Sequence, residues 1–234
     1  MITVAVDTQL LQYDGTLIAA GDVTFDTELR GSEHQRVHVQ RVVKRNDLRL
    51  TTFDMQGLGL LKTVPELQLL VRQPTYSAAM YRSIAFMCNT ARNMYPARRA
   101  HCGTNTEFLP DHPTLVEMLN AHEVVLRAWL LNATEGVTES QCSTNITRYH
   151  GTAPVESVVN AYALCGVTAL ALTTAEGKVW IKLLSKQDAQ LGVAARRHGS
   201  VEFTRVISYK PTDTVTIHTL SGAAIMLHNM AIIK

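Results

Sequence analysis

Hydrophobic and polar residues alternate along much of the first third of the chain, which is the two-residue period of a β-strand. Val4 and Val6 lie on one face of a strand predicted over residues 2–6, and Asp14-Gly15 has the composition of a hairpin turn. We expect the segment after this turn, Leu17 to Ala20, to return antiparallel to the first strand. An antiparallel β-meander is completed by strands predicted over residues 23–27, 33–43 and 48–53.

The middle of the chain follows the helical period instead. Prolines stand where helices begin, and apolar residues recur at intervals of three and four. This pattern predicts a central helical segment of about three helices. The three predicted helices run from Thr75 or Ser77 to about Tyr95, over 113–131, and from Val155 to about Cys165, and a short helix over 66–72 precedes them.

Strand patterns return in the last third. Residues 167–173 and 178–184 flank a Thr-Ala-Glu-Gly turn, and residues 201–209 and 214–220 flank Pro-Thr-Asp, so both pairs predict C-terminal β-hairpins. A short helix over 186–197 is expected between them. The order β, α, β indicates an α+β fold. We expect one domain over residues 1–234, with lobes over 1–62 (β-rich), 63–165 (helical) and 166–234 (β-rich).

Composition narrows the class of protein. The 234 residues are 46% hydrophobic but only 18% charged, with a net charge of +2. Such a chain has ample material for a core, which excludes a disordered protein, and no apolar run reaches the ~18 residues of a membrane span. The first residues lack a basic segment followed by an apolar one, so secretion through a signal peptide is not expected. We expect an intracellular protein, in the cytoplasm of a host cell or in an assembled particle.

Candidate catalytic residues are few. Cys102 follows His101 and two arginines, a setting that lowers the pKa of a thiol, although a loop cysteine beside incidental basic residues fits the same pattern. No Gly-x-Ser-x-Gly motif occurs. His34 and His38 lie too far apart on a strand to share a zinc ion, and His122-Glu123 lacks a second histidine three residues after the glutamate. We therefore expect no metal and no cofactor, and these patterns favour a protein that is not an enzyme.

The opening segment has a strand-turn-strand sequence, from Ile2 to Val6 and from Gly15 to Asp22. Over these roughly 20 residues it resembles the start of an N-terminal-nucleophile hydrolase of the proteasome type. Such an activity would require Thr, Ser or Cys as the first residue of the mature chain. The sequence begins with Met1, and the activity is not carried over.

Basic residues form three groups. If the groups converge, they make a groove of positive potential that tracks a phosphate backbone, and arginine suits bidentate contacts with phosphate. The alternative is that the arginines pair with acidic patches on neighbouring subunits. The candidate nucleic-acid-binding residues are Arg36, Arg41, Lys44, Arg45, Arg92, Arg98, Arg99, Arg196 and Arg197.

Three functions follow as hypotheses. The scarcity of charge indicates surface reserved for protein contacts, because charged residues are depleted in interface cores. We rank first a non-catalytic structural subunit of a large homo-oligomeric or mixed assembly, such as a component of a virus or bacteriophage particle. Its partners would be copies of itself or other subunits. A nucleic-acid-binding protein that uses the arginine groups ranks second, and a cysteine-dependent enzyme with Cys102 and His101 in its site ranks third.

Overall fold

The structure is a computed structural model of the chain. It describes residues 1–32, 35–55, 59–72, 79–86, 95–96, 103–133, 146–149, 151–165, 168–173, 177, 179–184, 203–207 and 211–234. The chain forms two compact units. Unit 1 comprises Met1–Gln73, Ala78–Ala97 and Val201–Lys234, and unit 2 comprises Pro74–Ser77 and Arg98–Ser200. That residues 1–234 form a single domain, with the three lobes given above, stays a prediction.

The fold is α+β with antiparallel sheets, as the sequence predicted. The strands in chain order are β1 (Ile2–Ala5), β2 (Gln9–Leu11), β3 (Leu17–Ala19), β4 (Glu28–Arg30), β5 (Arg36–Leu48), β6 (Thr51–Met55), β7 (Gly59–Thr63), β8 (Gln68–Arg72), β9 (Met80–Ser83), β10 (Tyr95–Pro96), β11 (Ile146–Arg148), β12 (Thr168–Thr173), β13 (Val179–Leu184), β14 (Phe203–Ile207), β15 (Thr212–Thr219), β16 (Ile225–Met226) and β17 (Ile232–Ile233). The α-helices with complete bounds are α1 (Leu115–Asn120), α2 (Glu123–Ala133) and α3 (Val155–Leu164), and residues 84–86 are α-helical as well.

A seven-stranded antiparallel sheet dominates unit 1, in the order β14-β6-β7-β1-β15-β5-β4. The first strand of the chain, β1, pairs with β15 from the C-terminal part, so the two ends of the sequence meet in the centre of the sheet. One face is apolar and carries the core, with Ile2, Val4, Val215 and Ile217 at most 1% exposed. Alternation along each strand turns the other residues to the opposite face.

The apolar C-terminal segment packs inside unit 1. Strands β16 and β17 form a hairpin, and β17 pairs with β8 in a sheet of order β10-β8-β17-β16, with β9 on β8. Ile225, Ile232 and Ile233 are fully buried there. The last residue is tied down as well, since Lys234 exchanges backbone hydrogen bonds of 2.9 and 3.1 Å with Gln68.

Unit 2 contains the three helices and the three-stranded sheet β11-β13-β12. The hairpin predicted around the Thr-Ala-Glu-Gly turn is confirmed, because β12 pairs with β13 from Thr168↔Leu184 to Thr173↔Val179. The helix predicted from Val155 is confirmed as α3, which buries one face that includes Val158, Ala161 and Leu164.

The helix predicted over 113–131 is two helices. Asn105 enters beside Ala121, where its N–H donates to Asn120 O (2.9 Å) and its carbonyl accepts from His122 N (2.7 Å). These bonds hold Ala121 in an extended conformation with ψ of 144°. His122 then caps the second helix, since its Nδ1 accepts from Val124 N at 3.2 Å. The apolar pattern is continuous, but hydrogen bonds from Asn105, which lies outside it, interrupt the helix.

Several other local predictions are wrong because pairing with distant segments decides them. Residues 68–72 are strand β8 and not a helix. Within the next predicted helix, residues 80–83 are strand β9, whereas residues 84–86 are helical as predicted. The turn at Asp14-Gly15 joins β3 to β2 and not to β1. The predicted hairpin of residues 201–209 with 214–220 does not form: β14 pairs with β6, while β15 pairs with β1 and β5. The short helix expected over 186–197 lies outside the described residues.

Candidate anion-binding groove

The register of three strands places a set of polar side chains on one face of the unit 1 sheet. Strand β15 lies between β1 and β5, with Thr216 opposite Thr3 on one side and opposite Val43 on the other. His218 is opposite Arg41 and Thr214 is opposite Arg45. Residues directly opposite on an antiparallel pair point to the same face, with Cβ atoms about 5 Å apart.

These strands line a groove of about 550 Å³. The segment between β7 and β8 supplies a second wall through Val64, Glu66 and Leu67, and Met1 lies at one margin. The other lining residues are Thr3, Arg41, Val43, Arg45, Leu48, Thr216 and His218, all of them in unit 1.

Thr3 and Thr216 form the floor of the groove, and two further buried threonines bond the strands beside them. Thr3 Oγ1 and Thr216 Oγ1 are 2.9 Å apart, and Thr63 Oγ1 donates to the carbonyl of Thr3 at 2.5 Å. Thr214 Oγ1 donates to the carbonyl of Arg45 at 3.2 Å, which joins β15 to β5 beneath the groove. All four threonines are at most 8% exposed. These hydrogen bonds satisfy buried hydroxyls and join the four strands β7, β1, β15 and β5.

The exposed charges of the groove are mainly positive. Arg41 and Arg45 are exposed, and neither forms an ion pair with any side chain in the described ranges. His218 is half-buried next to Arg41. Glu66 is the carboxylate of the lining, and it also lacks an ion-pair partner in the part of the chain that the structure describes. Two guanidinium groups that form no ion pair with the described residues can bind an anion without first breaking such a pair.

The remaining candidates of the first basic group do not join this groove. Lys44 is opposite Val215, and therefore points to the other face of β5 from Arg41 and Arg45. Arg36 is held by Glu28 at 3.1 Å and stacks over the Tyr13 ring, 4.4 Å from its centroid. The sequence predicted these residues as one cluster, and the sheet separates them.

The other sequence-predicted site residues lie outside the described residues. They are Arg92, Arg98, Arg99, His101, Cys102, Arg196 and Arg197. Their roles stay predictions. Cys165 is a half-buried cysteine outside any disulfide, at the end of α3. Within the described ranges, no three His, Cys, Asp or Glu side chains gather closely enough to hold a metal ion. The helices described are all too short or too polar to span a membrane.

Sequence reasoning missed four members of the groove: Thr3, Glu66, Thr216 and His218. They come from three separate segments, and none carries a recognisable motif. The one available signal is the period-two alternation of Thr214, Thr216 and His218 with Val215 and Ile217, which marks a polar face on an otherwise apolar strand. That signal does not reveal which residues lie opposite them.

A smaller cleft lies in unit 2 between α2 and the loops around it. Phe108, Leu109, Trp129 and Ala153 give it a largely apolar lining. Trp129 Nε1 donates to the carbonyl of Pro110 at 3.1 Å, which fixes the indole ring in the wall. Among the described residues of this lining, Asp111 is the one acidic residue and none is basic. The cleft has the character of a packing defect and not of a polar binding site.

Comparisons with known proteins give structural matches of low similarity. No protein-family model matches the sequence, and no curated protein matches it. One similar solved structure is a DnaB intein from Synechocystis sp. PCC 6803, with a TM-score of 0.39 and 8% identity over 98% of this chain and 96% of that chain. Another is a splice-inactive variant of the AceL NrdHF class 3 split intein, with a TM-score of 0.40 and 9% identity over 100% and 96% of the two chains.

These findings correct the first-ranked hypothesis. The similar structures are inteins, which are protein-splicing domains, and neither is a component of a virus or bacteriophage particle. The prediction of a non-catalytic structural subunit of a particle is therefore wrong. At this level of similarity the inteins assign no activity to the chain, and its function has to be argued from its own residues.

Proposed function

We propose that this chain binds nucleic acid by holding the phosphate backbone in the groove along β5. The observation that carries the proposal is the pair Arg41 and Arg45, which are exposed on one face of one strand, line the same groove and lack ion-pair partners among the described residues. Guanidinium groups offer a planar fork of donors that matches phosphate oxygens. His218 adds a further donor beside Arg41.

The spacing of the two arginines favours a chain of phosphates over a single phosphate. Residues i and i+4 of a strand are about 13 Å apart, which equals the rise of about four nucleotides in a stacked strand. Both guanidinium groups reach out from an exposed strand in the same direction. They therefore suit two phosphates about four nucleotides apart on one backbone, and such phosphate contacts are the sequence-independent component of nucleic-acid binding.

The test measures binding by fluorescence anisotropy of a labelled single strand of about 12 nucleotides, and of the matching duplex, at about 50 mM salt. The chain is expected to bind at least one of them. Arg41→Ala and Arg45→Ala are each expected to weaken binding by about five- to tenfold, because each removes charge-assisted hydrogen bonds to a phosphate.

Lys44→Ala is the matched control, because it removes the same charge from the same strand on the opposite face of the sheet. It is expected to change affinity by no more than about twofold, since its charge acts only at a distance through screening salt. Absence of binding at low salt would rule out the proposal. A loss of affinity in Lys44→Ala as large as in the arginine variants would show that the groove is not the site.

A further inference from the structure

Glu66 is out of place in a groove that holds only phosphates. It lines the same groove as Arg41 and Arg45, is exposed, and has neither an ion pair nor a hydrogen bond in the described part of the chain. A carboxylate in the same groove as a bound phosphate repels it. A hydrogen-bond donor that the ligand brings to that wall of the groove would offset this repulsion.

The sugar of a ribonucleotide supplies such a donor. An ionised carboxylate accepts hydrogen bonds and donates none, so its natural partner on a nucleic acid is a hydroxyl or an amino group. The ribose 2′-hydroxyl lies next to the phosphate along every nucleotide, and it is the group by which proteins distinguish RNA from DNA. Base amino groups occur only on some bases, whereas the 2′-hydroxyl is present whatever the sequence.

We propose that the groove prefers ribose-containing strands, with the arginines of β5 on the phosphates and the Glu66 carboxylate accepting a hydrogen bond from a 2′-hydroxyl. This inference rests on the proposed function. It adds a specificity-determining residue on the wall opposite β5, from a segment that carries no basic residue between Thr63 and Val71. The Thr3 and Thr216 side chains of the same lining are buried and hydrogen-bonded to each other, whereas the Glu66 carboxylate is exposed and ionisable.

The experiment compares three strands of one sequence, about 12 uridines long, by fluorescence anisotropy. They are the ribo, the deoxyribo and the 2′-O-methyl forms, which share a base without an amino group and differ only at the sugar. The ribo form is expected to bind about tenfold more tightly than the other two, which corresponds to one hydrogen bond to a charged acceptor. The 2′-O-methyl form tests donation directly, because it keeps the oxygen and loses the hydrogen.

Glu66→Ala is expected to bring the ratio of ribo to deoxyribo affinity to about one, and to leave deoxyribo binding unchanged or tighter because a repulsive charge is removed. Asp26→Ala is the matched control: it removes an exposed carboxylate of unit 1 that does not line the groove, and the ratio should stay at the wild-type value. Circular dichroism confirms that each variant is folded.

The possible results distinguish a failure of the ribose preference from a failure of nucleic-acid binding. Equal binding of ribo and deoxyribo strands, with weakened binding in Arg41→Ala, would overturn the ribose preference and leave nucleic-acid binding in place. A preference that persists in Glu66→Ala would overturn the role of Glu66. If neither strand binds the wild-type chain, the proposed function fails, and the inference fails with it.

Discussion

Thr3 and Thr216 stand 213 positions apart in the sequence, yet their hydroxyl oxygens are 2.9 Å apart in the floor of the groove. They face each other across the β1–β15 pair, and both side chains are nearly buried, with 5% and 8% exposure. This hydrogen bond connects the first strand of the chain to one of the last. Since β15 also carries His218 to its place opposite Arg41, the pairing sets the geometry of the groove.

A double-mutant cycle on this pair should show strong coupling. Thr3→Val and Thr216→Val each remove one hydroxyl and keep the shape, which leaves the other hydroxyl buried without that partner. Each is expected to lower the free energy of unfolding by about 1–3 kcal/mol. Thr3→Val/Thr216→Val is expected to cost clearly less than the sum, because no unsatisfied hydroxyl remains. Urea unfolding measures all four proteins, and strictly additive losses would contradict the importance of this bond.

The start of α1 should respond to pH. Thr114 and Glu117 form a capping box, in which Glu117 Oε2 accepts from Thr114 N at 2.7 Å and from Thr114 Oγ1 at 2.8 Å. The backbone hydrogen bond first, and the hydroxyl second, hold the pKa of Glu117 below its ordinary value of 4.5. Because the folded pKa is lowered, this contribution to stability is present above the unfolded pKa and is lost as the pH falls through the folded pKa.

Thr114→Ala is expected to raise the pKa of Glu117 toward its ordinary value and to destabilise the helix start by about 1 kcal/mol. Titration of the Glu117 carboxyl carbon by NMR measures the first effect, and thermal unfolding at neutral pH measures the second. A Glu117 pKa that does not move in Thr114→Ala would show that the box does not form in solution.

Local interactions explain which parts of the fold the sequence predicted. α3 begins after Pro154 and satisfies its own backbone hydrogen bonds, and the β12–β13 hairpin needs only its own turn. The strand β5 shows the opposite case. Asn46-Asp47 has the composition of a turn, but β5 continues to Leu48 because β15 pairs with it as far as Thr212. Turn propensity is weaker than a row of backbone hydrogen bonds from a partner strand at the other end of the sequence.

The candidate site was predictable only in part for the same reason. Arg41 and Arg45 belong to a group of basic residues that is evident in the sequence. Because they are four positions apart, they lie on the same face of the chain wherever it forms a strand. The same alternation predicts that Lys44 lies on the opposite face of the strand. It does not predict that Glu66 and His218 line the groove. Those two residues reach the groove through strand pairings that no local pattern encodes.

Gly103 should tolerate no side chain, because it packs directly on the backbone of Asn120. A Cβ at this position would overlap the Asn120 carbonyl group, which cannot rotate away. Gly103→Ala is expected to cost about 3 kcal/mol, the upper range of overpacking, and to speed hydrogen exchange at the amides of Asn105 and His122. Gly177→Ala is the control: no atom lies within 4 Å of the added Cβ, and only its φ of +76° is unfavourable. That variant should cost about 1 kcal/mol and leave both amides protected.

The slope of binding affinity against salt concentration should show how many groove arginines contact phosphates. Each phosphate that a basic side chain neutralises in a single strand contributes about −0.7 to the slope of log K against log salt concentration. Arg41→Ala and Arg45→Ala are each expected to make the slope less negative by about 0.7, and the double variant by about 1.4. Anisotropy titrations between about 50 and 200 mM salt measure the slopes.

Two variants test whether this count reports direct contacts. Lys44→Ala removes a charge without removing a phosphate contact, so its slope is expected to equal that of the wild-type chain. Arg36→Ala is expected to behave in the same way, because Arg36 is engaged with Glu28 and with the ring of Tyr13. If all four variants shifted the slope equally, the net charge of unit 1 would govern binding, and the groove would have no special role. A shift confined to Arg41→Ala and Arg45→Ala would place the phosphates on that face of β5, because counterions are released only where phosphates are neutralised.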